Sequence, residues 1–340
     1  MKIGIFTDFH WGVNKNNYEK VQTGIEVMQK FAARMVEAEA EEIIFCGDWN
    51  HSRDYLHVNT QELARQALEQ FSMYFKKIHF IVGNHDCHYK NSNDVNSVEQ
   101  FNRIPGVIIY KDYDEVEMGG KKFAFCPWGY NPKKEKHLDA AFGHFDFTGA
   151  QLLGAVNKGS YTMDQLTAVA PLIFSGHFHI RKEYETKTGN ILTIGCPYEQ
   201  NWGDVGNKKG FYVLETDTME YEYFENEFSP KHIPVRWSKI KDFDTAQLKN
   251  NYVKVVIDSD YEYENVVKVS QAFSKAGARS VEMDYQFQKE LSEIQKELGD
   301  VSMVSHEEAI NIYIDKMDIE DEEREYIRPI AIAMFKENNA

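Results

Sequence analysis

The 340-residue chain is poor in the residues that staple small or secreted folds. Its four cysteines, Cys46, Cys87, Cys126 and Cys196, are widely spaced, which argues against a disulfide framework and a CxxC metal knuckle. Hydrophobic residues at 42% and charged residues at 27% exclude a collagen-like, low-complexity or wholly disordered chain. No run of 18 apolar residues occurs, so no membrane span is expected. Bases are in deficit, 38 against 54 acids, for a formal net charge of −16. That excludes a protein that coats nucleic acid by charge alone. It leaves room for a nucleic-acid enzyme whose contacts are local, metal-assisted or supplied by a partner. The start, Met1 to Phe6, is too short for a signal peptide, and a soluble intracellular protein is expected. No GxGxxG, P-loop or internal repeat is present.

What is present is an alternation of short apolar runs and helical spacing. Ile3–Phe6, Ile43–Cys46 and Ile78–Val82 read as strands. Between them, Tyr18–Glu39 and Thr60–Phe75 carry apolar residues at helical spacing. This is the pattern of a layered α/β domain, with sites at the carboxyl ends of its strands. The following region is strand-rich: Val107–Tyr110, Glu115–Met118, Lys122–Cys126, Leu172–Phe174, Tyr184–Lys187, Ile191–Ile194, Phe211–Glu215 and Tyr221–Phe224. Two sheets with outer helices suit it better than one Rossmann sheet. A boundary is expected near Pro234-Val235, giving a first domain over 1–235. A small α+β domain follows over 236–290, with strands at Tyr252–Ile257 and Ser280–Met283 around a helix at Glu264–Ala276. A polar linker over 291–304 then leads to a helical segment over 305–340. Its expected helices are His306–Met317 and Asp321–Asn338, the first opened by a Ser305/Glu308 capping box.

Polar groups stand directly after successive apolar runs. They are Asp8-Phe9-His10, Gly47-Asp48 with Asn50 and His51 behind, and Gly83-Asn84-His85-Asp86. Gly143-His144 and Gly176-His177-Phe178-His179 follow. Asp, His and Asn suit Mn²⁺, Fe²⁺ or Zn²⁺. An adjacent glycine lets the backbone turn sharply and leaves space for a ligand. A single such group would more often be a cap or a surface residue. Five of them, four after strand-like runs, point to loops that converge in space.

Together with Trp11-Gly12 and His51-Ser52, these motifs resemble the calcineurin-like metallophosphoesterases. Within that group they are most similar to the nuclease subunit that pairs with an SMC-like ATPase, especially its tailed-bacteriophage version. The resemblance implies an α/β two-sheet metallophosphoesterase sandwich with flanking helices, a small α+β capping domain and a C-terminal helical segment. It also implies two divalent ions, Mn²⁺ foremost, with Mg²⁺, Fe²⁺ or Zn²⁺ as alternatives. One would be held by Asp8, His10, Asp48 and His179, the other by Asp48, Asn84, His144 and His177, with Asp48 bridging. His85 would stabilise charge or protonate the leaving oxygen, Asp86 would orient His85, and His51 would help place a 3′ strand. Phe9, between two ligand positions, is read as packing. The implied activity is 3′-to-5′ exonuclease and endonuclease cleavage of DNA in end processing, recombination and repair. The implied partner is a coiled-coil ATPase, in a heterotetramer containing two copies of this chain, in the cytoplasm (the host's, if phage-encoded).

The metal motifs do not choose the phosphoester. A phosphodiesterase or phosphatase for a small or protein substrate would need the same ligands, and a non-catalytic scaffold would tolerate degraded ones; here they are intact. Lys133, Lys134, Lys136 and His137 form a local basic cluster, read as a solvated loop before a phosphate contact. Trp11, Trp49, Tyr55 and Tyr89 are read as buried before base-stacking, and Trp128 and Trp202 as core or rim. Tyr18–Glu39 and Thr60–Phe75 are candidate dimer elements. The apolar stripes Ala309-Ile310-Ile312-Tyr313-Met317 and Tyr326-Ile327-Ile330-Ile332-Met334 suit either a packed hairpin or a partner's groove.

Overall fold

Each apolar run of the first hundred residues becomes a strand of one sheet, because the intervening amphipathic segments return the chain to the same edge. The computed structural model describes residues 1–132, 137–259, 261–285, 310–311, 314–315 and 320–338. The first sheet has six strands, in the order Tyr221–Glu225, Gly210–Glu215, Lys2–Phe6, Ala40–Phe45, Lys77–Ile81, Val107–Tyr110. Its last four strands are parallel. The second sheet also has six, in the order Lys182–Glu185, Asn190–Thr193, Leu172–Gly176, Ala140–His144, Lys121–Cys126, Asp114–Met118. Its middle four are parallel.

Side chains alternate across each strand, so one strand serves two cores. Ile3, Ile5, Ile44 and Ile81 of the first sheet meet Phe123, Phe125, Phe142 and Phe174 of the second. Phe6, Ile43, Phe45 and Phe80 face the other way, onto Phe31, Met35, Leu68 and Phe71 of two helices. A third core lies outside the second sheet, where Ala141 and Ile173 meet Leu166 and Val169. The result is the expected sandwich of two sheets with outer helices. Burying each large apolar side chain contributes about 1.5–3 kcal/mol.

The helix Tyr18–Glu37 starts where Asn17 accepts hydrogen bonds from the Glu19 and Lys20 amides, and it stops short of Glu39, whose φ is +63°. The second helix is Val58–Ser72. Ala140–His144 was not among the expected strands, since Ala-Ala-Phe-Gly-His has no β-branched residue to announce it. It is a fully buried inner strand, stabilised by its place between two neighbours.

A three-stranded sheet, His232–Arg236, Tyr252–Ile257 and Ser280–Tyr285, accompanies the helix Tyr263–Lys275. Arg279 donates to Thr23 Oγ1 at 2.9 Å and pairs with Glu26 at 3.2 Å. The Lys20 ammonium stands 3.2 Å above the Tyr252 ring centre. The chain divides into two compact units, Met1–Val255 with Tyr261–Met283, and Val256–Asp260 with Asp284–Ala340. In the second, Asp321–Asn338 is a helix with Pro329 inside it, and Arg328 bonds Asn311 and Asp315. The expected linker, and all but residues 310, 311, 314 and 315 of the expected helix His306–Met317, lie outside the described residues. Among the described residues no helix is long and apolar enough to cross a membrane.

Candidate metal centre

Parallel strands bring their carboxyl ends to one side, and here two sheets do so together. Asp8 and His10 follow Lys2–Phe6, Asp48 follows Ala40–Phe45 and Asn84 follows Lys77–Ile81. His144 ends Ala140–His144, and His177 and His179 follow Leu172–Gly176. The turns are tight and strained. Asp8, His10, Asp48 and His177 all have left-handed backbones, with φ of 52°, 52°, 60° and 83°. Each costs about 1–3 kcal/mol, which the surrounding packing must hold in place. Gly47 has φ 96°, and a Cβ there would lie 2.6 Å from His144 Nδ1. A Cβ on Gly83 would lie 2.2 Å from the Asp48 nitrogen, so these two loops pack backbone to backbone.

The seven expected ligands fall into two groups. In the first, His10 Nε2 is 3.0 Å from His179 Nε2, 3.7 Å from Asp8 Oδ1 and 3.6 Å from Asp48 Oδ2. In the second, His144 Nε2 is 2.8 Å from Asn84 Oδ1 and 3.3 Å from the same Asp48 Oδ2. His177 Nδ1 is 2.9 Å from Asn84 Oδ1. One carboxylate oxygen of Asp48 therefore stands between the groups. The other Asp8 oxygen accepts the His177 amide at 3.0 Å and ties the first loop to the last.

The donor chemistry fits divalent cations. Asp8, His10, Asp48, Asn84 and His144 are buried, and Asp8 Oδ1 and His10 Nδ1 have no hydrogen-bond partner. His144 Nδ1 donates to the Cys46 carbonyl at 2.8 Å, so in its neutral form the ring would present the Nε2 lone pair to Asn84 Oδ1 and Asp48 Oδ2. Acceptors that converge without a shared hydrogen call for a cation or an extra proton. Burial opposes charge on His144, but the Asp48 carboxylate outweighs it and pushes the pKa up to about 9. Burial likewise resists ionisation of Asp48, which the His144 and His10 rings nevertheless hold well below the usual carboxylate range. Burial lowers His177 and His179 to about 4, helped by His144 and His10 respectively, leaving both neutral and able to ligate.

His85 and His51 stand at the mouth. Their rings stack, with centres 5.7 Å apart, and both flank His10. His85 Nδ1 donates to the His51 carbonyl at 2.6 Å, while its backbone amide donates to Asp48 Oδ1 at 2.7 Å. Asp86, expected beside the His85 ring, lies elsewhere. Its buried carboxylate accepts the amides of Asp48, Trp49, Asn50 and Gly83, at 3.0 to 3.1 Å. It staples the second loop to the third, and the carbonyl of His51 is the group that orients His85. Burial and the Asp48 charge push Asp86 up to about 7, against the amides that favour its ionised form.

Phe9 packs as expected, stacked on Trp11 at 4.7 Å beside Trp49 and Tyr198. Trp11 and Trp49 are buried, but Tyr55 and Tyr89 are exposed, contrary to the expectation of burial. Trp128 flanks the second group, its ring 5.1 Å from His177 and 5.9 Å from His144. His137 pairs with Glu115, while Lys133, Lys134 and Lys136 lie outside the described residues.

A profile of the calcineurin-like phosphoesterase superfamily domain matches residues 1–219. The chain belongs to that superfamily. These phosphoesterases are hydrolases that use divalent metals, in keeping with the two His/Asp groups. The chain is also similar to exonuclease subunit 1 of Enterobacteria phage T4, at 27% identity over 308 residues, 86% of each chain. Two solved structures of Vps29 from Entamoeba histolytica align with it. A single mutant does so at 12% identity over 67% of this chain and 100% of its own, with a TM-score of 0.33. The wild type with zinc does so at 14% over 66% and 91%, with a TM-score of 0.33.

Sequence reading missed residues that grip this phosphoesterase site from behind. Gln200 Nε2 donates to the Asp8 carbonyl at 2.7 Å, and Asp204 pairs with Lys209 at 2.7 Å, all three buried. Nothing in Asn201 to Gly210 has a period or a motif; only the fold carries that segment under the strand ends.

Proposed function

We propose that this chain is a metal-dependent DNA nuclease subunit with 3′-to-5′ exonuclease and endonuclease activity, working with a coiled-coil, SMC-like ATPase in DNA end processing. The observation that carries the reading is the placement of one Asp48 oxygen between two groups of buried acceptors, with His85 at their mouth. Asp8, His10, Asp48 and His179 would hold one divalent ion, Mn²⁺ foremost, and Asp48, Asn84, His144 and His177 the other. Such a pair of ions, when bound, neutralises phosphoryl charge and lowers the pKa of water. Burial lowers the pKa of His85, so its ring rests neutral. With Nδ1–H given to the His51 carbonyl, Nε2 is left to accept a proton from the attacking water, and the imidazolium so formed would return it to the leaving oxygen. Asp86 keeps the Asp48 and Asn84 loops in register, so both groups meet one phosphate.

Two features favour a nucleic-acid strand over a small ester. A cleft of about 390 Å³ runs from His51 and His85 past Lys15, Arg53 and Tyr55, offering two cations and an exposed ring beside the site. The similarity to a phage exonuclease subunit spans 86% of the chain. That relative is named as a subunit, and the segment 305–340 is the proposed dock for the ATPase, which would add basic surface to this acidic chain. Two copies in a heterotetramer complete the proposal.

The test is Mn²⁺-dependent digestion of end-labelled linear duplex and circular single-stranded DNA by the purified chain, with and without the ATPase. Rapid hydrolysis of a chromogenic diester beside no cleavage of either DNA would move the protein to the small-substrate class. Deleting 300–340 should abolish co-purification with the ATPase and preserve diester hydrolysis. Undiminished binding by the shortened chain would remove the docking role.

A further inference from the structure

Two loops far apart in sequence must present His10 and His179 to the same point, 3.0 Å from each other. Neither loop is held there by its own strand alone. Behind them runs the segment from Cys196 to Lys209, which makes no part of either ligand group. The Lys209 ammonium is 4% exposed and donates three ways: to Asp204 Oδ1 at 2.7 Å, to the His179 carbonyl at 2.9 Å and to Cys196 Sγ at 3.0 Å. Every ammonium proton is thereby used, and one of them fixes the backbone of the ligand-bearing residue itself. The other Asp204 oxygen accepts the amides of Gln200 at 3.0 Å and Asn201 at 3.2 Å. Gln200 then reaches across, its Nε2 donating to the carbonyls of Asp8 at 2.7 Å and Phe9 at 3.2 Å. Asn14 Nδ2 closes the arrangement by donating to the Gln200 carbonyl at 2.7 Å.

An unbroken chain of buried and half-buried polar contacts therefore joins His179 to Asp8 through Lys209, Asp204 and Gln200. We propose that Lys209, Asp204 and Gln200 are positioning residues that set the separation of the Asp8–His10 and His179 loops, and so the geometry of the first metal group. The inference rests on the metal-dependent reading above. His179, Cys196 and Asp204 are themselves close enough together to form a third cluster of ligating types. The ammonium bonded to Asp204 and Cys196 is the cation of that cluster, which gives it a bracing role in place of a third metal site. A buried pair is a costly way to stabilise a fold, since apolar residues of equal volume do as well or better. It is a good way to hold two carbonyls at set positions. Residues behind metal ligands commonly change metal affinity or activity by about ten- to a hundredfold.

The experiment uses the full chain and Mn²⁺ alone as the probe, followed by calorimetric titration. Removing one partner leaves a buried charge and risks unfolding, so the decisive variant is the double replacement Lys209→Met with Asp204→Asn. It should fold, and it should bind one of two Mn²⁺ ions about ten- to a hundredfold more weakly than wild type. On a chromogenic phosphodiester at saturating Mn²⁺, kcat should fall while KM stays within about twofold, since the loss is in aligning the reacting groups. A folded double variant with wild-type Mn²⁺ affinities overturns the positioning role and leaves the metal reading intact. A wild-type chain that binds no Mn²⁺ overturns the metal reading, and the positioning role with it. Should the double variant not fold, Gln200→Leu reads the same chain from its other end. A tenfold weaker ion there supports the role, and an unchanged titration overturns it.

Discussion

The floor and the mouth of the site are built differently. On the floor, Asp8, His10, Asp48 and His144 are almost wholly buried, and three of the four have strained left-handed backbones. Their positions are over-determined by amides, carbonyls and glycines that admit no Cβ. At the mouth, His51 and Tyr55 are exposed, and Arg53 lines an open cleft. The floor has the geometry for chemistry common to any phosphoester. The mouth has the freedom to meet one substrate and not another. A change on the floor should therefore act on every substrate alike, and a change at the mouth should act selectively.

The strongest attempt to break this contrast is Asp48→Asn. Its oxygen serves both groups, so metal content and hydrolysis of DNA and of a small diester should all collapse together. Survival of any one of these activities near its wild-type rate would remove Asp48 from the bridging position.

His85→Ala comes next and tests the border between floor and mouth. The chain should keep both metals while turnover drops about 10²–10⁴-fold on every substrate. Metal analysis of the purified variant decides it, since loss of both ions would place His85 among the ligands.

His51→Ala sharpens the comparison from the other side. Metal content and small-diester hydrolysis should stay near wild type, and the loss, up to about 10²-fold, should fall on exonuclease digestion. Endonuclease cleavage of single-stranded DNA should suffer less. Equal losses on all three substrates would make His51 a part of the floor. Its carbonyl remains in the variant, so the hydrogen bond that orients His85 is not removed by design.

The smallest effect is one of pH. The metal-free protein holds His144 at about 9 against an ordinary 6.5, with burial opposing and Asp48 favouring the proton. Its contribution to stability should be complete below about 6.5 and be lost as pH rises through about 9. Metal binding must displace that proton, so Mn²⁺ affinity should run the opposite way, rising by up to about tenfold per pH unit until about 9. Calorimetry in buffers of differing ionisation enthalpy counts the proton released. A flat affinity between pH 7 and 9 would show that His144 takes no part in binding the ion.

Much was legible from residue order alone. The runs at Val107–Tyr110 and Tyr252–Ile257 became strands with the bounds their apolar patterns gave. Periodicity placed both long helices within three residues at either end, because an amphipathic face must be buried somewhere. The polar groups at strand ends were visible because a glycine and a cluster of Asp, His and Asn interrupt an apolar run in a way that packing alone does not require. What a linear pattern cannot carry is who stands behind whom. The strand Ala140–His144 has no intrinsic signal and exists because two neighbours pair with it. Asp86 follows His85 in the chain, yet neighbouring residues on a tight turn point apart, and its carboxylate went to the amides of another loop. Lys209, Asp204 and Gln200 lie far from every motif in sequence and a hydrogen bond from the ligand loops in space. Residue types and spacing thus determined which groups are candidates to bind a cation and where the chain turns. Only the tertiary structure decided which oxygen is shared, which carbonyl orients His85 and which buried ammonium holds His179, because these depend on contacts between segments that the sequence keeps apart.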